Sequence, residues 1–481
     1  MRLRYASVFA VLLCLASAVS APAEEPASAP PDTPAGRRVR ALLQAFDTGS
    51  PESVRAFIAA NFSAAALKEA PLDQRTQRLS GIAGQIGPLE FRRLLGAGDD
   101  RITFLARAKT SGDWLEVGIQ LDPAPPHAIR GLRFEESEGP DAARETRKGS
   151  DAEVAEAAGT HLGRLAAAGE FSGVVLIARN GKPFFHQAYG SADRAFGVAN
   201  RPDTKFNIGS INKTFTQTAI GQLAEKGKLS LDDTIRKHLP DSTLAGADRI
   251  TIQQLLTMSS GLGDFFGETF DATPKSRIRT LQDYLRLFAS DPLLFEPGTS
   301  RRYSNAGYVV LGLIIEKVSG KSYYDTVRES IYGPAGMTST DSYMQDAVVP
   351  NRAVGYTSED DNGKPLSEAR VNVYALPARG SSAGGGYSTA EDMLRFDMAM
   401  RGGKLLSPSW TAWYYSEQVP EPGAPPAKLQ GGKGVAGGTS GVNAVLEMDI
   451  DTGYTVVVLS NLDPPSAEKV AKTLRQWLGL D

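Results

Sequence analysis

Between Phe206 and Phe215 the chain reads Phe-Asn-Ile-Gly-Ser-Ile-Asn-Lys-Thr-Phe, and this stretch restricts the fold more tightly than any other. From Ile211 the apolar residues recur at Phe215, Ala219 and Leu223, four apart, which predicts a helix with one buried face. Gly227 stands where such a helix commonly stops. Ser210 and Lys213 then share a helix face, with side-chain bases roughly 5–6 Å apart. Burial favours the neutral form of a lysine, so Lys213 is placed to take the Ser210 hydroxyl proton near neutral pH. The helix start also favours negative charge, such as the oxyanion formed when Ser210 attacks a carbonyl. The expectation is a serine nucleophile with its base beside it. The spacing by itself is weak, since Ser466 and Lys469 repeat it, and there Ser466 is expected to cap the C-terminal helix.

The surrounding chain supplies the context. With 481 residues, two or three domains are expected. Met1 to Ala23 reads as a secretory signal: Arg2 and Arg4, an apolar stretch from Ala6 to Ala18, then Ala21-Pro22-Ala23 as a cleavage site. That predicts a periplasmic or secreted protein. The single cysteine, Cys14, lies inside this segment, so disulfides, zinc-thiolate sites and cysteine nucleophiles are excluded from the mature chain. No later stretch is long enough to span a bilayer. A net charge of −3 gives no reason to expect nucleic acid or an anionic membrane as partner.

After a Pro/Ala/Glu-rich leader, a small α+β domain is expected over 36–135. Helical patterns come first (Val39, Leu42, Leu43, Phe46; Val54, Phe57, Ile58, Phe62; then Leu79 to Ile86). Four strand-like runs follow: Leu89 to Leu95, Ile102 to Ala108, Trp114 to Leu121 and Ile129 to Phe134. The length and order resemble the cone-shaped domains of the nuclear transport factor 2-like superfamily, which implies an accessory or interaction module. His127 is expected to be a surface or capping residue. The apolar-poor stretch 136–153 is expected to be a linker, with the second domain running from 154 to 481.

The second domain opens on an amphipathic helix (Val154, Ala157, Leu162, Leu165) and a hairpin turning at Asn180-Gly181. Thr251 to Leu262 reads as a helix ending in a polar turn. Phe295-Glu296-Pro297-Gly298 precedes Tyr303-Ser304-Asn305, the only Y-x-N, and Tyr303 follows Ser210 by 93 residues. Gly434 to Gly441 leads into strand runs Val442 to Ile450 and Tyr454 to Asn461, followed by a helix carrying Val470, Leu474 and Trp477. Of the four histidines (His127, His161, His186, His238), none sits in a nucleophile motif, so a Ser-His-Asp triad is poorly supplied.

Taken together, S-x-x-K, Y-x-N and a Gly-rich strand near the C-terminus resemble the serine β-lactamase and penicillin-binding-protein superfamily. The nearest branch is that of class C β-lactamases and related esterases and D-aminopeptidases. Leu255-Leu256-Thr257, Ser260-Gly261-Leu262, Glu296-Pro297-Gly298 and Ala383 to Thr389 agree with it. The resemblance covers Val154 to Leu478 and implies an α+β fold, a five-stranded antiparallel sheet flanked by helices beside an all-α lobe. It also implies roles: Ser210 as acylated nucleophile, Lys213 as its proton partner and Tyr303 as second acid/base. Asn305 would hold the substrate, and the N–H groups of Ser210 and Gly438 would form the oxyanion hole.

Relatives place Lys or His, then Thr, Ser or Gly, then Gly on the third motif, where this chain has Val435, Ala436 and Gly437. Lys433 lies two residues earlier on the same strand face and is expected to supply part of the missing charge. Met258 stands where relatives often have histidine. The reading is a secreted serine hydrolase acting through an acyl-enzyme on a small-molecule or peptide ester or amide, without metal or cofactor. It could be an esterase, a β-lactamase-like enzyme or a D-amino-peptide hydrolase. The alternative is a non-catalytic or weakly acylating binding protein, favoured by Val435 and Ala436.

Overall fold

The computed structural model describes residues 29–98, 100–110, 112–137, 149–360, 365–416 and 428–480. The expected signal segment, Cys14 and much of the expected linker lie outside them. The chain forms two compact units, Met1–Glu145 and Thr146–Asp481.

The first unit begins with helices α1 (Pro34–Thr48), α2 (Pro51–Asn61), α3 (Ala64–Glu69) and α4 (Leu72–Ile86). Thr33, Ser50 and Ser63 each accept a backbone N–H of the first turn that follows, and Pro34 and Pro51 take the first helical position. The short α3 was not among the expected helices. Strands β1 (Leu89–Ala97), β2 (Arg101–Ala108), β3 (Trp114–Leu121) and β4 (Ile129–Ser137) pair in chain order as an antiparallel meander. Along β3, Leu115, Val117, Ile119 and Leu121 are buried and alternate with less buried residues, so one face of the sheet carries the core. His127 occupies a turn with φ 52°, its carbonyl accepting from Arg38 Nε at 3.2 Å.

Both margins of the expected linker are structured. Strand β4 runs past Phe134 to Ser137, and helix α5 (Asp151–Ala167) starts before Val154. Its start is a reciprocal cap, in which Ser150 Oγ accepts the Glu153 N–H and Glu153 accepts the Ser150 N–H. That cap lies within the stretch expected to be a linker.

The second unit is built on a five-stranded antiparallel sheet, as the resemblance implied. Its strands are β5 (Gly173–Arg179), β6 (Lys182–Tyr189), β7 (Gly432–Thr439), β8 (Val442–Asp449) and β9 (Tyr454–Ser460), in the order β7-β8-β9-β5-β6. Asn180 (φ 50°) and Gly181 (φ 76°) make the turn between β5 and β6. Strand β5 is apolar and buried from Gly173 to Ala178 because both faces are covered. Val175 and Ile177 meet α5 and helix α9 (Ser466–Leu478), while Val174, Leu176 and Ala178 join the core shared with the helical lobe. Helix α9 is not capped by Ser466, which is its first helical residue. Asn443 Oδ1 from β8 accepts the N–H groups of Ala467 (2.5 Å) and Glu468 (3.3 Å) instead. Among the described residues, no helix is long and apolar enough to cross a membrane.

Helix α6 (Asn212–Glu225) runs through the middle of the lobe, and every residue from Asn212 to Leu223 is buried. One buried face was expected. The polar residues that read as a wetted face are instead bonded internally: Thr216 Oγ1 to the Ser382 carbonyl (2.7 Å), Gln222 Nε2 to the carbonyls of Ser330 and Leu405 (2.9 Å each).

Candidate active site

Ser210 lies in a single 3₁₀ turn, Gly209–Ile211, immediately before α6. The turn presses against β7 with no side chain between the two backbones. A Cβ on Gly437 would stand 2.2 Å from the Ile208 carbonyl oxygen and 2.6 Å from the Ser210 nitrogen. A Cβ on Gly209, where φ is +48°, would stand 2.9 Å from the Gly438 nitrogen. Strand and nucleophile can meet only through bare glycines. Gly437→Ala should therefore cost about 1–3 kcal/mol and pull Ser210 off the strand; thermal unfolding and serine-probe labelling would read both losses.

Lys213, the second residue of α6, is 7% exposed. Its Nζ lies 3.0 Å from Ser210 Oγ, 2.7 Å from Asn305 Oδ1 and 2.5 Å from the Ala383 carbonyl oxygen. Burial pulls its pKa down to about 7, although the nearby Asp264 carboxylate pulls the other way. As an ammonium it donates to all three oxygens. As a neutral amine it gives both N–H to the two carbonyl oxygens, and its lone pair is left for the Ser210 hydroxyl. The packing thus leaves one task for that lone pair.

Tyr303 completes the cluster, with its hydroxyl 2.6 Å from Ser210 Oγ and its ring 4.8 Å from Lys213 Nζ. Desolvation raises its pKa above the ordinary tyrosine value, against the pull of the Ser210 hydrogen bond. Tyr303 lies just ahead of helix α8 (Asn305–Ser319), against which the short helix α7 (Ile252–Leu256) packs. Ser304 caps α8, accepting the Gly307 N–H at 2.9 Å and donating to the Gly263 carbonyl at 2.7 Å. Met258, at φ 60°, supports this segment from below: its carbonyl accepts the Arg302 N–H at 2.9 Å and its sulfur lies 3.4 Å from the Ser304 nitrogen.

The structure thus brings Ser210, Lys213, Tyr303 and Asn305 together on β7 at Gly437 and Gly438. Lys433 is held elsewhere. Its Nζ lies 2.9 Å from both Gln217 Oε1 and the Tyr414 carbonyl, 4.4 Å over the Tyr414 ring, one helical turn along α6 from Lys213. Val435 packs against the core. Two contributors escaped the sequence reading. The Ala383 carbonyl comes from a Gly-rich turn that also ties to the nucleophile turn, Gly385 N–H to Gly209 O (3.2 Å) and Ile208 N–H to Gly386 O (2.8 Å). The other is Asp264, whose Oδ2 accepts from Asn305 Nδ2 at 2.8 Å. Its only signal was a carboxylate between Leu262 and Phe265-Phe266.

A family model described as Beta-lactamase matches residues 159–480. Penicillin-binding protein 4* of Bacillus subtilis (strain 168) is 33% identical over 248 residues, 50% of this chain and 54% of that protein. Among solved structures, the penicillin binding protein from Bacillus halodurans is 30% identical with a TM-score of 0.57, covering 66% of this chain and 98% of that one. EstCE1, described as a hydrolase with promiscuous acyltransferase activity, is 25% identical with a TM-score of 0.56, covering 68% and 99%. The chain spans about half the length of the curated relatives it matches.

Proposed function

This chain belongs to the Beta-lactamase family, and from that premise we propose that it is a serine hydrolase forming an acyl-enzyme at Ser210. The observation that carries the reading is the unbroken contact from Lys213 Nζ to Ser210 Oγ to the Tyr303 hydroxyl, at 3.0 and 2.6 Å. Neutral Lys213 takes the Ser210 proton as Oγ bonds to the substrate carbonyl carbon. Negative charge on the former carbonyl oxygen falls to the N–H groups of Ser210 and Gly438. Collapse of that intermediate breaks the bond to the alcohol or amine, which leaves with a proton from Tyr303 or Lys213. Water then repeats the sequence on the acyl ester and frees Ser210.

The test is an activity-based fluorophosphonate probe followed by mapping of the labelled residue. Label on Ser210 supports the proposal, and an unlabelled folded protein overturns it. The second reading, a binding protein with residual acylation, is favoured by one observation: apolar Val435 occupies the place where relatives carry a cation.

That same position shapes the substrate class. A carboxylate entering the site meets no cation at Val435, and Lys433 is engaged by Gln217 and Tyr414. A charge-assisted hydrogen bond contributes roughly 1.5–3 kcal/mol, which is about one to two orders of magnitude in kcat/KM. Exposed Phe266 and Leu294 offer apolar surface on the segments flanking Tyr303. Neutral short-chain esters should therefore be turned over better than β-lactams or peptides bearing a free carboxylate. Comparing p-nitrophenyl acetate with a chromogenic cephalosporin checks this, and Val435→His should narrow the gap. The N-terminal unit is read as an accessory module of the nuclear transport factor 2-like type, and the whole chain as secreted or periplasmic.

A further inference from the structure

Asp264 stands outside every motif of the sequence and yet belongs to the hydrogen-bonded chain of the site. It sits on the turn after Gly261, where its Oδ1 accepts the Phe266 N–H at 3.2 Å and its Oδ2 accepts Asn305 Nδ2 at 2.8 Å. The Asn305 side chain, itself buried, has its carbonyl oxygen on Lys213 Nζ at 2.7 Å. A primary amide has a donor end and an acceptor end. A carboxylate only accepts, so it selects the donor end of Asn305 and leaves the acceptor end for Lys213.

The reversed amide would be destructive. Its N–H would point at Lys213 and claim the lone pair that Ser210 needs, while one N–H of the neutral lysine would lose its acceptor. Its oxygen would face the Asp264 carboxylate. We infer that Asp264 is a positioning residue which turns the Asn305 amide and thereby sets the direction of hydrogen bonding from Lys213 to Ser210. This rests on the serine-hydrolase reading and adds to it a residue with no substrate contact of its own.

The groups facing Lys213 are Ser210 before its own helix, Tyr303 and Asn305 at the start of α8, Tyr308 on α8 with its ring 5.4 Å away, the Ala383 carbonyl, and Asp264. Asp264 is the one carboxylate among them, and its charge holds Lys213 above where burial alone would leave it. Removing the charge should move the lysine's titration to lower pH; removing the acceptor should free the amide.

Two variants separate these effects. Asp264→Asn keeps the shape and an acceptor but not the charge; Asp264→Ala keeps neither. The expected result for Asp264→Ala is a tenfold or greater fall in kcat with KM near the wild-type value. For Asp264→Asn the expected result is a smaller fall, with the acid limb of the pH profile displaced downward. The titration of Lys213 should be followed directly as well, by NMR of ε-¹³C-labelled lysine, which needs no turnover. A Lys213 titration displaced further downward in Asp264→Ala than in Asp264→Asn, the excess being the effect of the freed amide, supports the inference even in a protein that hydrolyses nothing. A wild-type limb and wild-type lysine titration in both variants would overturn it. So would equal losses of kcat tracking only a lower fraction of folded protein. If Asp264→Ala does not fold, Asp264→Leu, which also lacks both charge and acceptor, takes its place. Failure of the hydrolase reading shows separately, as a wild-type protein that takes up no fluorophosphonate label.

Discussion

Ser210→Ala should leave a folded protein that takes up no fluorophosphonate label and whose ester turnover falls by at least about 10³-fold. The substitution removes one oxygen, and with it the atom that Lys213 and Tyr303 both approach. Neither neighbour can replace it, because Lys213 is buried beneath the turn and Tyr303 carries a phenol whose pKa is raised. The fold should hardly notice: the turn is fixed by backbone contacts through Gly209, Gly385 and Gly437, and lost side-chain hydrogen bonds amount to about 1 kcal/mol each. Thermal unfolding checks the first half and labelling with ester kinetics the second. Undiminished turnover by Ser210→Ala would end the serine-hydrolase reading.

Lys213→Arg should cost about 10²–10⁴ in acylation rate, because a guanidinium keeps the charge but cannot give up a proton near neutral pH. In the wild type the working form is the neutral amine, whose fraction rises with pH through about 7. The acylation rate should rise over the same range, and the arginine variant should lose that limb. Stability carries the same signature. The unfolded chain holds the lysine proton up to about pH 10.4, whereas the folded chain releases it lower. Across that window the unfolded state binds more protons, so stability rises with pH. A flat rate profile in wild type, or an arginine variant that keeps most of its rate, would reduce Lys213 to an electrostatic prop.

The parts of this molecule that could be read in the sequence are those whose signal is local. The Asn180-Gly181 turn demands positive φ at both residues and so marks its hairpin unaided. The two-sided burial of β5 is written as an unbroken apolar run, and Ser210 with Lys213 sit within one helical turn. What was not legible depends on residues far apart in the chain. Helix α6 looked amphipathic because its Thr, Gln and Asn residues resemble a solvent face. Only the assembled lobe supplies the carbonyls of Ser330, Ser382 and Leu405 that allow those side chains to be buried. Lys433 was expected beside the site from strand alternation alone. Alternation gives a face, however, and the hydrogen bonds that Lys433 donates to Gln217 and Tyr414 decide how far along that face the ammonium rests. Asn443 capping a helix from a neighbouring strand, and Asp264 orienting an amide on another helix, leave no periodic trace at all.

Because Gly173–Arg179 pairs with Tyr454–Ser460, a chain growing from its N-terminus cannot close this sheet until its last strand has been made. Ser210 is made long before that point, at a stage when the glycines it lies against, Gly437 and Gly438, have yet to appear. Such long-range pairing is slow to form and is won late. The half-built chain therefore carries a serine and a lysine with no oxyanion pocket to serve them. On the serine-hydrolase reading, a product truncated anywhere before Gly432 carries Ser210 and Lys213 but lacks the strand they lie against, and should take up no fluorophosphonate label.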